Sequence, residues 1–324
     1  MRAERMQSLA VLHLTTCLLK EGSTRYTQGQ AMKCMFSGEE TSTEEHVLPR
    51  WMQKRYGLDK ETYNIPNGTT ISYKNAVVPA AKEHNARFGK IEEKLSRGTA
   101  TLQEVYLWAF KIHIGLIHRN ASLKIDIRSP TSPFFWEVGD FGSEVWLFQR
   151  LYKTWSQNGK ITPDPLGTVL RFQALTPSSS FDFVHNMQSG TMFFQLGGEV
   201  LFVALYDKGE LALSNVSALY EHHRSVILSM PVQDQMEAAL SAQRVWACET
   251  AYFLYRARPG FNFVTSENSF TAIPSLSRPV SRPSDEDEYA KFCRSFGLKL
   301  EKFGGEADHH YSNLTQEDID SISG

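Results

Sequence analysis

Little in this sequence is extreme, and each missing extreme removes a class of protein. The 324 residues hold 34 Lys and Arg against 36 Asp and Glu, a formal net charge of −2. A chain so balanced lacks the global charge of a nucleic-acid-binding protein, so any phosphate-binding surface has to be local. Cysteine is scarce: four residues, at 17, 34, 248 and 293, with no spacing that suggests pairs. That favours free thiols in a reducing, cytoplasmic setting over a disulfide framework. No apolar run is long enough to span a bilayer. The nearest, Leu9 to Leu19 behind Arg2 and Arg5, contains His13, Thr15 and Thr16 and lacks a small-residue cleavage pattern. Residues 1–32 are read as a leader, with Met32 as an alternative start, and no membrane partner is expected. Internal repeats and heptads are missing too.

What is present is ordinary globular composition, 41% hydrophobic and 22% charged, in a chain long enough for about two domains. Its periods change along the length. Trp51 to Leu58 is helical and stops near Gly57. Asn67-Gly68 is turn chemistry ahead of a strand at Thr69–Tyr73. Lys82 to Leu95 is a helix. Residues 101–119 repeat apolar side chains at 3–4 spacing, an amphipathic helix with His113 as a core histidine. A helix at Val145–Trp155 follows.

After it the period drops to two, with strands at 168–175, 181–185, 191–196 and 199–206 and a short one at 210–213. Gly197-Gly198 turns the hairpin between the third and fourth of these. Val200 to Leu205 is apolar throughout, which calls for cover on both faces. A long helix runs from Val232 to Arg256. Pro274–Glu288 reads as a linker, Tyr289–Phe303 as a last helix and the tail from Gly304 as loose. His222-His223 and His309-His310 read as surface pairs, and Asp285–Glu288 as a solvated charge run. The fold class is α+β, divided into 1–32, a first module at 33–98, a larger helix and antiparallel-sheet domain at 99–273, and a linker and tail at 274–324.

The chemistry concentrates in Glu44-Glu45-His46-Val47-Leu48-Pro49-Arg50-Trp51. Adjacent Glu and His on an extended segment point to opposite sides, so a tight ribbon end has to aim both at one site. Pro49 helps to fix that end. From Arg50 to Arg97 there are ten Lys/Arg and five Asp/Glu, a local positive excess beside this segment. It suits a phosphate-tracking surface as well as a solvated helix face.

Cys34-Met35-Phe36-Ser37-Gly38 followed by Glu45-His46-Val47-Leu48-Pro49-Arg50-Trp51 resembles the first half of an HNH endonuclease. Asn67–Tyr73, then Val78-Pro79-Ala80-Ala81-Lys82-Glu83-His84-Asn85 with Phe88 and Ile91-Glu92, resembles the second half. The resemblance implies an N-terminal ββα-metal module and a phosphodiesterase acting on DNA, in a setting such as restriction or phage (antiviral) defence. It implies His46 as general base, with Glu45 and Asn85 as ligands of a Mg²⁺ (or Mn²⁺) ion. His84 is Asn85's neighbour, and a ligand itself in a competing register where Asn75 braces the loop. Arg50, Lys82 and Arg87 are the expected phosphate contacts, on charge and proximity. Many members carry a structural zinc on two Cys-x-x-Cys pairs. Here those positions hold Cys34, Ser37, Ala81 and His84, too few ligands for a closed tetrahedral site, so packing of Met35, Phe36, Val77 and Phe88 has to substitute. Competing expectations are a decayed, non-cleaving nucleic-acid-binding module, and a docking platform for a protein partner or a second copy at 100–270.

Overall fold

The computed structural model describes residues 33–65, 67–138, 141–174, 181–209, 211, 216–257, 261–266, 268–274, 286–298, 301–303 and 310–312. The fold is mixed α+β, with predominantly antiparallel sheets. The chain separates into two units, one from 1–169 with 260–277 and the other from 170–259 with 278–324. The expected leader at 1–32, most of the linker and His309 lie outside the described residues.

The first unit opens with β1 (Glu44–His46), helix α1 (Arg50–Arg55), the hairpin β2 (Thr62–Asn64) and β3 (Thr70–Ser72), and β4 (Val77–Pro79). Helices α2 (Lys82–Ser96), α3 (Leu102–Ala121), α4 (Phe135–Val138) and α5 (Gly142–Ser156) follow, then strand β5 (Lys160–Thr162). β1 and β4 pair antiparallel. Helix α3 starts on a capping box: Glu104 N–H donates to Thr101 Oγ1 at 3.2 Å, and Thr101 N–H donates back to Glu104 Oε2 at 2.9 Å. That reciprocal bond satisfies N–H groups that a helix start otherwise leaves open.

The helix expected at 101–119 is present as α3, but its apolar surface is not confined to one stripe. Leu107, Trp108, Phe110 and Ile114 are buried as fully as the expected stripe of Val105, Ala109 and Ile112. A helix apolar on all sides belongs inside, and α2, β4 and α5 all pack against it. This also explains why the boundary expected at 98/99 falls inside the first unit. His113 is fully buried, a core histidine as expected.

The second unit is built on a sheet ordered β6 (Thr168–Gln173), β9 (Glu199–Ala204), β8 (Thr191–Leu196), β7 (Phe181–Asn186). β9 is an inner strand, and Val200 to Ala204 are buried at every position, as a strand covered on both faces requires. Helices α6 (Val216–Ser229) and α7 (Val232–Ala257) bring Tyr220 and Trp246 against Phe172 of that sheet. The strand expected at 210–213 has only Leu211 among the described residues. In the first unit β10 (Phe261–Ser266) and β11 (Ser269–Pro274) form a hairpin, and β11 pairs parallel with β5. The last expected helix is shorter: α8 spans Glu286–Ser295 and stops at Gly297, whose φ is +70°. β12 (Glu301–Phe303) then pairs with β13 (His310–Ser312), so this part of the tail is ordered into a ladder. Cys248 and Cys293, distant in sequence, bring their thiol sulfurs to 3.5 Å.

One close approach positions the site described below. A Cβ on Gly115 of α3 would lie 3.2 Å from both methyls of Val47, which is itself fully buried directly after β1. Gly115→Val therefore overpacks the contact and should cost about 1–3 kcal/mol in chemical denaturation. Gly115→Ala should cost less, because only one methyl has to be absorbed.

Candidate active site

The register of the ribbon sets which side chains face which way. Glu45 lies opposite Val78 and His46 opposite Val77, so Glu45 and Val78 share one face while His46 and Val77 share the other. Val78 is buried, so the Glu45 face looks inward. Beyond the ribbon, Pro49 begins α1 and Gln53 Nε2 donates to the Leu48 carbonyl at 2.8 Å, holding the strand-to-helix corner. After β4 the chain passes Ala80-Ala81 straight into α2, giving strand, strand and helix in that order.

The loop at 34–39 closes the other end. Met35 N–H donates to the Pro79 carbonyl at 3.0 Å, and Ala81 N–H donates to Cys34 Sγ at 3.2 Å. Phe36 is buried, with ring centroids 5.3 Å from Phe88, 5.8 Å from Phe148 and 4.9 Å from Tyr152. Edge and offset contacts at such separations stabilise a core beyond the area they bury. Aromatic packing therefore stands where the family resemblance would put zinc ligands.

Under the inner face lies a group that the sequence reading missed. Lys111 of α3 is fully buried, and its Nζ donates to Glu45 Oε1 at 2.7 Å, the His46 carbonyl at 2.7 Å, the Val47 carbonyl at 3.3 Å and Glu92 Oε1 at 3.1 Å. Burial alone would push the ammonium pKa down. The facing carboxylates of Glu92 and Glu45 outweigh it and raise the pKa, so the lysine stays charged. Glu92 feels the same burial, which lifts its pKa against the opposing pull of Lys111. Removing the ammonium alone would leave these carboxylates uncompensated. Lys111→Met should accordingly cost about 3–5 kcal/mol of stability in chemical denaturation.

His46 sits at the end of β1, half-buried, and no hydrogen bond reaches its ring among the described residues. Its pKa is lowered, first by burial and next by the Arg50 guanidinium, with Glu45 pulling weakly the other way. The imidazole is thus neutral at pH 7 and able to accept a proton. Arg50 and Lys82 are exposed, at the first positions of α1 and α2. Arg87 is exposed as well, with Nη1 3.4 Å from the Ser156 carbonyl.

Asn85 occupies the first turn of α2, about two helical turns from Glu92 and therefore on the same face. No hydrogen bond occupies its side-chain amide among the described residues. His84 turns elsewhere. Its Nδ1 is 3.0 Å from the Tyr152 hydroxyl, and its ring packs near Phe36. With Glu39 and Glu83 it makes a group of ligand atoms within 4.8 Å of one another, which includes neither Glu45 nor His46. Asn75 is exposed and braces nothing among the described residues, which favours the Asn85 register.

Two oxygen donors of the hard type are uncommitted among the described residues. Glu45 Oε1 is taken by Lys111, but Oε2 carries no hydrogen bond among the described residues, and the Asn85 amide oxygen is likewise open. Carboxylate and amide oxygens are the donor type that Mg²⁺ takes.

For His46 the shift has a definite sign. Its folded-state midpoint lies below the usual 6.5, so the folded protein binds fewer protons than the unfolded chain. This contribution to stability is full above pH 6.5 and is lost as the pH falls through the lowered midpoint. Titration of the ring by NMR should show that low midpoint, and Arg50→Gln should move it upward. Against known proteins, no family model, no curated protein and no solved structure matches this chain.

Proposed function

We propose that the β1–β4 ribbon and α2 form the active site of an HNH-type, metal-dependent nuclease that hydrolyses phosphodiester bonds in DNA. The observation that carries this reading is the ribbon itself: β1 and β4 pair across the whole of 47–76 and lead directly into α2, with a neutral, unbonded His46 at the ribbon end. A bound Mg²⁺ or Mn²⁺ would supply positive charge to the scissile phosphate and the leaving oxygen. Glu45, through Oε2, and Asn85, through its amide oxygen, would hold it. The His46 imidazole takes a proton from water as that water attacks phosphorus and the P–O bond to the leaving oxygen breaks. Arg50 and Lys82 present exposed cations to the flanking phosphates, and Arg87 can join them by releasing its long bond to Ser156. Free thiols at Cys34, Cys248 and Cys293 support a cytoplasmic setting, and no described helix is long and apolar enough to cross a membrane.

A second reading, DNA binding without cleavage, draws on one observation: the Lys111 ammonium already neutralises Glu45. Plasmid nicking with Mg²⁺ or Mn²⁺ separates the two. The nuclease should cut, and His46→Ala should slow cutting by about 10²-fold or more while DNA binding persists. Undiminished cutting by His46→Ala removes His46 as the base. Binding with no metal-dependent cutting by the unaltered protein selects the second reading.

A further inference from the structure

We propose that Lys111 is the positioning residue of this site: its ammonium fixes the Glu45 carboxylate so that only Oε2 is offered to a divalent cation. This rests on the nuclease reading and adds to it a residue from outside the HNH-like segment. Strand alternation sends Glu45 to the inner face of the ribbon, away from His46, where an unpartnered carboxylate would swing to solvent. Lys111 prevents this by binding Oε1 at 2.7 Å. The same Nζ grips the carbonyls of His46 and Val47, so the strand end that carries the base is held by the group that orients the ligand. Its remaining partner, Glu92, belongs to α2, the helix that carries Asn85 on the same face. The two candidate ligands therefore ride on elements that meet at one ammonium. Outer groups of this kind set the direction of a metal-binding oxygen, and their loss typically weakens metal affinity about 10- to 100-fold.

The test is Mn²⁺ binding to the full chain, followed by electron paramagnetic resonance without DNA. The unaltered protein should bind one Mn²⁺ that Glu45→Gln abolishes. The double variant K111M/E92L removes Lys111 and its second carboxylate partner together, leaves Glu45 intact and should keep the circular dichroism of the folded protein. It should bind Mn²⁺ about 10- to 100-fold more weakly, with DNA cleavage recovering as Mn²⁺ is raised. A folded K111M/E92L with affinity within about twofold of the unaltered protein overturns the Lys111 assignment alone. No Glu45-dependent Mn²⁺ binding in the unaltered protein overturns the nuclease reading with it. A second measurement needs no variant: the nuclear magnetic resonance signals of the buried Lys111 side chain should broaden at sub-stoichiometric Mn²⁺. An unbroadened signal at saturating Mn²⁺ likewise overturns the proposal.

Discussion

A single buried ammonium, held by four oxygens from three segments, is the constraint on which the first unit is arranged. Taking a lysine out of water costs several kcal/mol unless its protons all find acceptors. Lys111 meets that demand by drawing β1, the corner after it and α2 onto α3. The ribbon would otherwise be short and weak, since isolated two-stranded ribbons are marginal in water. The close passage of Gly115 beside Val47 belongs to the same arrangement, because a large side chain there would press on the residue that follows the strand end.

The two faces of the ribbon consequently have different electrostatics. Inside, Glu45 and Glu92 share a lysine in a dry environment. At the ribbon end, His46 is partly exposed, its pKa lowered by burial and by Arg50. The proposed hydrolysis draws on a neutral base at the ribbon end and exposed cations at the starts of α1 and α2. On the far side of α2, His84 serves the packing of the 34–39 loop through Tyr152. Neighbouring residues of one helix thus have different surroundings because they project in different directions.

Much of the site was legible in the sequence because its signals are contiguous. Glu45-His46 with Pro49 marked a ribbon end and the helical period from Lys82 marked α2, but Val77–Pro79 read only as the close of the strand at Thr69–Tyr73 and not as the partner of β1. Lys111 was not legible. It lies 66 residues from Glu45, within a stretch whose neighbours suggested only a half-buried helix, and a lone lysine there reads as a surface residue. The surroundings of His84 were not legible either: the stripe of Phe88, Ile91 and Leu95 faces the core, and His84, one turn earlier, follows it toward Tyr152. The strands β5, β10 and β11 escaped detection too, since β11 pairs with a segment far earlier in the chain and local period carries no record of such a partner. Helix α6, where polar residues interrupt the apolar spacing, also went unseen.

The most direct test of the central claim is crystallographic: anomalous diffraction at the manganese edge from crystals soaked in Mn²⁺. The account predicts a peak bonded to Glu45 Oε2 and to Asn85, between the β1–β4 ribbon and α2. A peak at Glu39, Glu83 and His84 alone, or none at the ribbon, would contradict it.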